Sequence, residues 1–174
     1  MASIAGLLLL QEKSFATGSA ALPQDEVAKL NYRIDFARLR FSNLIDHLQK
    51  YLDKNERLAL YENVGESCAS DGQKEFEALK GNLKGILDEQ VKQGWLENYD
   101  MNESTGTIKL SGKPKDTCGC PLLKKGLTPS EFCNCSIGYM KKMYSVVTGK
   151  KVDVTLESSI LMGGDRCNFS IKLS

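Results

Sequence analysis

From residue 152 to residue 173 the chain alternates apolar and polar side chains on either side of a glycine-rich turn, and few folds accommodate that pattern. Val152, Val154 and Leu156 share one face, residues 160–162 continue apolar, and Cys167, Phe169, Ile171 and Leu173 alternate again beyond Gly163, Gly164 and Asp165. A period of two on both arms, with residues between them that tolerate positive φ, predicts an antiparallel hairpin with one buried face. Residues 95–99 and 107–110 predict a second hairpin across the turn-rich residues 102–106. Two hairpins packed with N-terminal helices make an α+β domain, expected to occupy residues 23–174 as a single unit.

The helices are legible from period and caps. Val27, Leu30, Ile34, Ala37, Phe41, Leu44 and Leu48 recur at spacings of three and four, a helical stripe that needs a long partner. That partner is either the third helix of the same chain or, in a homodimer, a second copy. His47 lies beside the stripe and reads as an exposed or partly packed side chain. Asp53 with Glu56 is a capping box opening a short helix through Leu58, Tyr61 and Val64, which Gly65 can end. Cys68, just after, reads as a small buried hydrophobe. Phe76, Leu79, Leu83, Ile86 and Val91 predict a third helix running through Gly81 and Gly85, where each glycine costs about 1 kcal/mol against alanine. Thr128 as N-cap, Pro129 at the first helical position and Glu131 capping back predict a last helix that ends at Gly149. Its core face is Cys133, Ile137, Met140, Tyr144 and Val147.

Charge excludes some functions. With 23 basic against 22 acidic residues, nothing builds the concentrated positive field that a phosphate backbone requires, so nucleic acid is not an expected partner. No apolar run approaches the ~18 residues of a membrane-spanning helix, so no integral membrane segment is expected in the mature domain. Residues 1–22 stand apart. The apolar run at residues 4–10 and the small residues 16–21 resemble the hydrophobic and cleavage regions of a secretory signal. The run also resembles the part of a twin-arginine signal just after its arginine motif. Export to the periplasm is the expectation, with the mature chain starting between Thr17 and Leu22. The alternative is a cytoplasmic protein with an unstructured N-terminus.

Four of the six cysteines form two C-x-C pairs, Cys118 with Cys120 and Cys133 with Cys135. Thiols this close in sequence serve as a tetrahedral zinc site, as disulfides, or as a reactive thiolate with neighbours. A closed zinc site would take Cys118, Cys120, Cys133 and Cys135. On an unbroken helix, however, Cys133 and Cys135 point roughly 200° apart, so at most three of the four sulfurs are expected to converge. A thiolate at Cys120, Cys133 or Cys135 would need Lys124, Lys125, a helix N-terminus or a metal beside it, because no histidine is near in sequence.

The run from Ser158 to Phe169, with its Gly-Gly-Asp turn followed by Arg166, Cys167, Asn168 and Phe169, resembles the end of the L-2-amino-thiazoline-4-carboxylate hydrolase-like proteins. More distantly it is similar to the 4-vinyl reductase domain. The resemblance covers about residues 118–173 and extends weakly to residues 65–69. It implies an α+β small-molecule-binding domain in which a helix precedes the closing hairpin. Cys133 or Cys135 falls where the hydrolase-like proteins carry a cysteine before their penultimate helix, which implies a catalytic role for one of the two. The paired C-x-C arrangement departs from their single cysteines, so thiazoline hydrolysis does not transfer, and such folds also serve as sensors. The expected function is a small-molecule-binding domain with a cysteine-rich site. The alternatives are a hydrolase-like enzyme using a cysteine thiolate, and a structural cysteine cluster closed by disulfides or zinc.

Overall fold

The structure, a computed structural model, describes residues 23–174; the expected export signal lies outside the described residues. In chain order the elements are α1 (Gln24–Tyr51), α2 (Lys54–Ser70), α3 (Gln73–Ala78), α4 (Leu83–Lys92), β1 (Leu96–Asn102), β2 (Thr107–Gly112), a 3-10 turn (Ser130–Cys133), α5 (Asn134–Thr148), β3 (Val152–Ser158) and β4 (Asn168–Leu173). No helix among the described residues is long and apolar enough to cross a membrane. The chain divides into two compact units, Met1–Ala37 and Arg38–Ser174.

The larger unit is built on a four-stranded antiparallel sheet ordered β1-β2-β4-β3. Both expected hairpins form, and β2 joins them by pairing Ile108 with Ile171 and Leu110 with Phe169. Because side chains alternate along a strand, Ile108, Leu110, Val152, Val154, Phe169 and Ile171 all fall on one buried face. Lys109, Asp153, Thr155 and Lys172 fall on the other and are exposed. The buried face meets Ile86 and Leu87 of α4 and Ile137, Met143, Tyr144 and Val147 of α5 in one core. The α+β class read from period alone is the class observed. Between β3 and β4 the connection is longer than a tight turn: residues 159–167 fold as a loop of their own, with positive φ at Gly163 and not at Gly164. Phe169 and Ile171 are buried as expected, whereas Cys167 is half-buried.

Four helical expectations are corrected. Gly65 does not end α2, which runs on to Ser70 and carries Cys68 on its exposed side. A Cβ on Gly65 would stand 1.7 Å from the Cys135 carbonyl oxygen, and one on Gly138 would stand 1.9 Å from the Glu62 carbonyl oxygen. These glycines let α2 and α5 cross backbone to backbone, a use of glycine that looks the same in sequence as a helix stop. The predicted third helix is two helices, broken at Gly81 with φ +79. Asn82 then caps α4 by accepting from the Gly85 N–H at 3.0 Å. The last helix begins at Asn134 rather than after Thr128. The Thr128 hydroxyl instead meets the buried Ser42 hydroxyl at 3.1 Å and accepts from the Lys124 N–H at 3.2 Å. The capping box at Asp53 and Glu56 and the left-handed Gly149 stop both form.

Within the larger unit, the buried face of α1 is Ser42 and Ile45, flanked by Phe41 and Leu48, and Leu44 is exposed. The physical reason is drift: a strict seven-residue pattern rotates about 20° per heptad on a straight α-helix, so by the last turns the contact face has moved off the stripe. Glu131 does not cap back to Thr128. It accepts two hydrogen bonds from Arg57 of α2, at 2.9 and 3.1 Å, while Arg57 also donates to the Leu52 carbonyl at 2.7 Å. The guanidinium beside Glu131 holds its carboxyl below the ordinary range, first through these hydrogen bonds. A depressed carboxyl adds stability above its unfolded pKa and gives it up as pH falls through the carboxylate range near ~4 and below. Wild-type melting temperature is therefore expected to fall more steeply than that of Glu131→Gln as pH is lowered from neutral through that range. Parallel melting curves for the two would show that the pair contributes nothing.

Candidate functional site

The larger unit has a second, smaller core beside the sheet core. Ile45 of α1, Tyr61 of α2, Leu123 of the loop over residues 117–128 and Phe132 of the 3-10 turn are buried in it. Phe41, Leu48, Cys118, Cys135 and Leu161 pack around them. Three rings meet edge to face at its centre, Phe41 with Phe132 at 5.1 Å and Tyr61 with Phe132 at 4.9 Å. Such pairs are favourable beyond the area they bury. One wall has no regular secondary structure. It is the cysteine loop, held by turns from Cys120 to Leu123 and from Lys124 to Thr128 and by Arg38, whose Nε donates to the Pro121 carbonyl at 2.8 Å.

Tyr61 is the anomaly in this cluster. Its side chain is fully enclosed at 0% exposure, and its hydroxyl has no hydrogen-bond partner among the described residues. A buried polar atom without a partner costs about 1–3 kcal/mol. Burial first, and the Glu131 carboxylate second, push the phenol above its ordinary range. It is therefore a protonated donor at neutral pH.

The cysteines divide between two neighbourhoods. Cys133 is buried, its thiol 3.2 Å from the buried Ser159 hydroxyl, so it is anchored to the β3–β4 connection. Cys135 faces the second core together with Cys118. The passage from the 3-10 turn into α5 thus sends Cys133 and Cys135 to different walls, although both remain within electrostatic reach of each other. Cys118 is within such reach of Cys133, Cys167 and Cys120, and Cys135 of Cys120 and Cys68. Cys68 and Cys120 are exposed. All six cysteines are free thiols, and among the described residues no three His, Cys, Asp or Glu side chains group closely enough to hold a metal ion.

Burial favours the protonated form of Cys118, Cys133 and Cys135. Burial pushes Cys118 up to about 11 and Cys135 up to about 12, with the neighbouring thiols adding to both shifts. Cys133 is raised by the same cause, against which the Ser159 hydrogen bond pulls down. Lys125 lowers Cys118 only slightly, and His47 is exposed on α1 beside Tyr51. A nucleophilic cysteine needs the opposite environment, electropositive and partly open.

The thiols are legible in the sequence, whereas the residues that build the core around them are not. Tyr61 looked like one more apolar position of a helix, Phe132 lay inside an assumed helical turn, and Ser159 in an assumed strand continuation. No local signal marks a hydroxyl that will be enclosed without a partner.

An α+β domain with a separate aromatic and thiol-lined core is the class that fold and site define. Residues 89–174 match the model of a family of unknown function (DUF6144). No curated protein matches the chain. Among solved structures, the chain is similar to a trafficking protein particle complex subunit 3 from Naegleria fowleri covalently bound to palmitic acid. That match has 13% identity and a TM-score of 0.56 and covers 83% of this chain and 96% of that one. It is similar also to the phenol-responsive sensory domain of the transcription activator PoxR with phenol, at 14% identity and a TM-score of 0.53, covering 78% and 74% of the two chains. A vinyl-4-reductase family protein from Methanocaldococcus jannaschii aligns over 100% of this chain and 99% of its own at 12% identity, with a TM-score of 0.39. The first two likenesses establish a shared fold.

Proposed function

We propose that this chain is a small-molecule-binding domain whose ligand occupies the second core, beneath the cysteine loop, with Cys118 and Cys135 along its wall. The observation that carries this reading is the enclosed Tyr61 hydroxyl, without a partner among the described residues, beside three rings that meet edge to face. Binding sites are commonly apolar and aromatic, with a few polar groups that fix orientation. The ligand that fits is uncharged, largely apolar and equipped with one acceptor atom for the Tyr61 donor. The two similar structures support the reading in kind, since one holds palmitic acid and the other phenol.

A hydrolase-like enzyme with Cys133 or Cys135 as nucleophile is the second reading, implied by the resemblance of the C-terminal half. Protonated, buried thiols place it behind the first. The third, a structural cluster closed by disulfides or zinc, is separated from both by metal analysis and free-thiol counting on the native protein.

The test is calorimetric titration with p-cresol and with toluene, which share a ring and differ in the hydroxyl. Wild type is expected to bind p-cresol more tightly, and Tyr61→Phe to lose that preference while still binding toluene. One lost hydrogen bond corresponds to about 1 kcal/mol, or a factor of about five in affinity. Equal affinities in wild type would remove Tyr61 from the site. Binding of neither probe would sink the proposal.

A further inference from the structure

We infer that the N-terminal half of α1 is an antiparallel homodimer surface. Taken by itself, the unit ending at Ala37 carries Val27 at 42% exposure and Leu30 at 50%, with Ala37 exposed and Ile34 half-buried along the same stripe. Scattered exposed apolar side chains are ordinary. A stripe of them on one face of a helix is not, because such a face is covered in its working state.

The sequence pattern points to a second copy of this chain as the cover. Val27, Leu30, Ile34 and Ala37 repeat at three and four, the seam of a two-helix coiled coil. Glu26 and Arg33 then lie seven residues apart on the same flank of that seam, each one residue before a seam position. When two identical helices pair antiparallel, each flank meets the same flank of its partner, so Glu26 of one copy faces Arg33 of the other and the contact is made twice. Parallel pairing would instead set that flank against the opposite flank of the second copy, so Glu26 would not face Arg33. The present partner of Glu26, Lys29 on the same helix at 2.8 Å, is an exposed pair with side chains 65% and 53% accessible. Exposed pairs of this kind contribute little and exchange readily.

Sedimentation equilibrium of the full chain at micromolar concentrations tests this. Wild type is expected at twice the chain mass and Leu30→Glu at the chain mass, with the thermal transition of the sheet unchanged as the check on folding. Glu26→Lys should weaken the dimer, and adding Arg33→Glu should restore it. A wild-type protein that stays at the chain mass would overturn the inference and leave the face to another cover, such as the apolar run at residues 4–10. A Leu30→Glu protein that stays dimeric would place the interface elsewhere. Failure of the double swap to restore association would overturn the antiparallel register.

Discussion

Gly138→Ala is expected to destabilise the larger unit by about 3 kcal/mol or more, the upper end of what overpacking a core costs. Two effects oppose each other. Alanine improves helix propensity by about 1 kcal/mol over glycine in a helix interior. Against that, the new methyl carbon would lie 1.9 Å from the Glu62 carbonyl oxygen and 2.6 Å from its carbon. Both atoms belong to the backbone of α2, so no rotamer change relieves the overlap, and the helices must separate along the contact that holds α5 to α2. The same reasoning applies from the other side to Gly65→Ala, whose methyl would meet the Cys135 carbonyl at 1.7 Å. Equilibrium denaturation should show a lower midpoint at an unchanged slope, the signature of lost stability without a changed unfolded state. A shift within about 0.5 kcal/mol, the range of ordinary surface substitutions, would mean that the helices do not cross this closely. Because α5 begins with Asn134 and Cys135, separation there should also loosen the wall of the second core. Thiol labelling at Cys135 should then accelerate together with the loss of stability.

Phe169→Ala is expected to cost about 3–5 kcal/mol, as for other large aromatic side chains removed from a core. Phe169 is 5% exposed at the centre of the sheet, paired with Leu110 on one side and Leu156 on the other. Its loss would leave a void bounded by two strands on the sheet side and by α5 on the helix side, which could collapse only by distorting the β2–β4 ladder that joins the hairpins. Lys109→Ala on the opposite, solvent face is the control and should stay within about 0.5 kcal/mol. Equal losses for the two would show that the faces are assigned the wrong way round. If Phe169→Ala alone were mild, the sheet core would have to repack around it, and the buried face would be less tightly specified than its alternation implies.

The parts of this protein that were legible in the sequence are those in which a local rule is also the global one. Alternation at Val152, Val154, Phe169 and Ile171 placed both arms of the closing hairpin and their inner face, since a slip of one residue would turn every apolar side chain outward. Asp53 with Glu56 and Gly149 marked helix ends correctly, because caps satisfy backbone groups within one turn. The thiols were located as a group for the same reason: their crowding is a property of residues 118–135 alone.

What the tertiary structure decided depends on partners far away in the chain. Gly65 and Gly138 are helix-crossing residues only because the carbonyls of Cys135 and Glu62 lie against them, and nothing near Gly65 in sequence separates that use from a helix stop. Thr128 is a plausible cap whose hydroxyl was taken instead by Ser42, 86 residues earlier, and Glu131 was taken by Arg57, 74 residues earlier. Cys133 was buried against Ser159, and the Tyr61 hydroxyl became an orphan by enclosure. Period and capping are encoded over a few residues, so sequence alone determines them. Burial and the partner of a polar group are set by which distant surfaces meet, so only the folded chain assigns them.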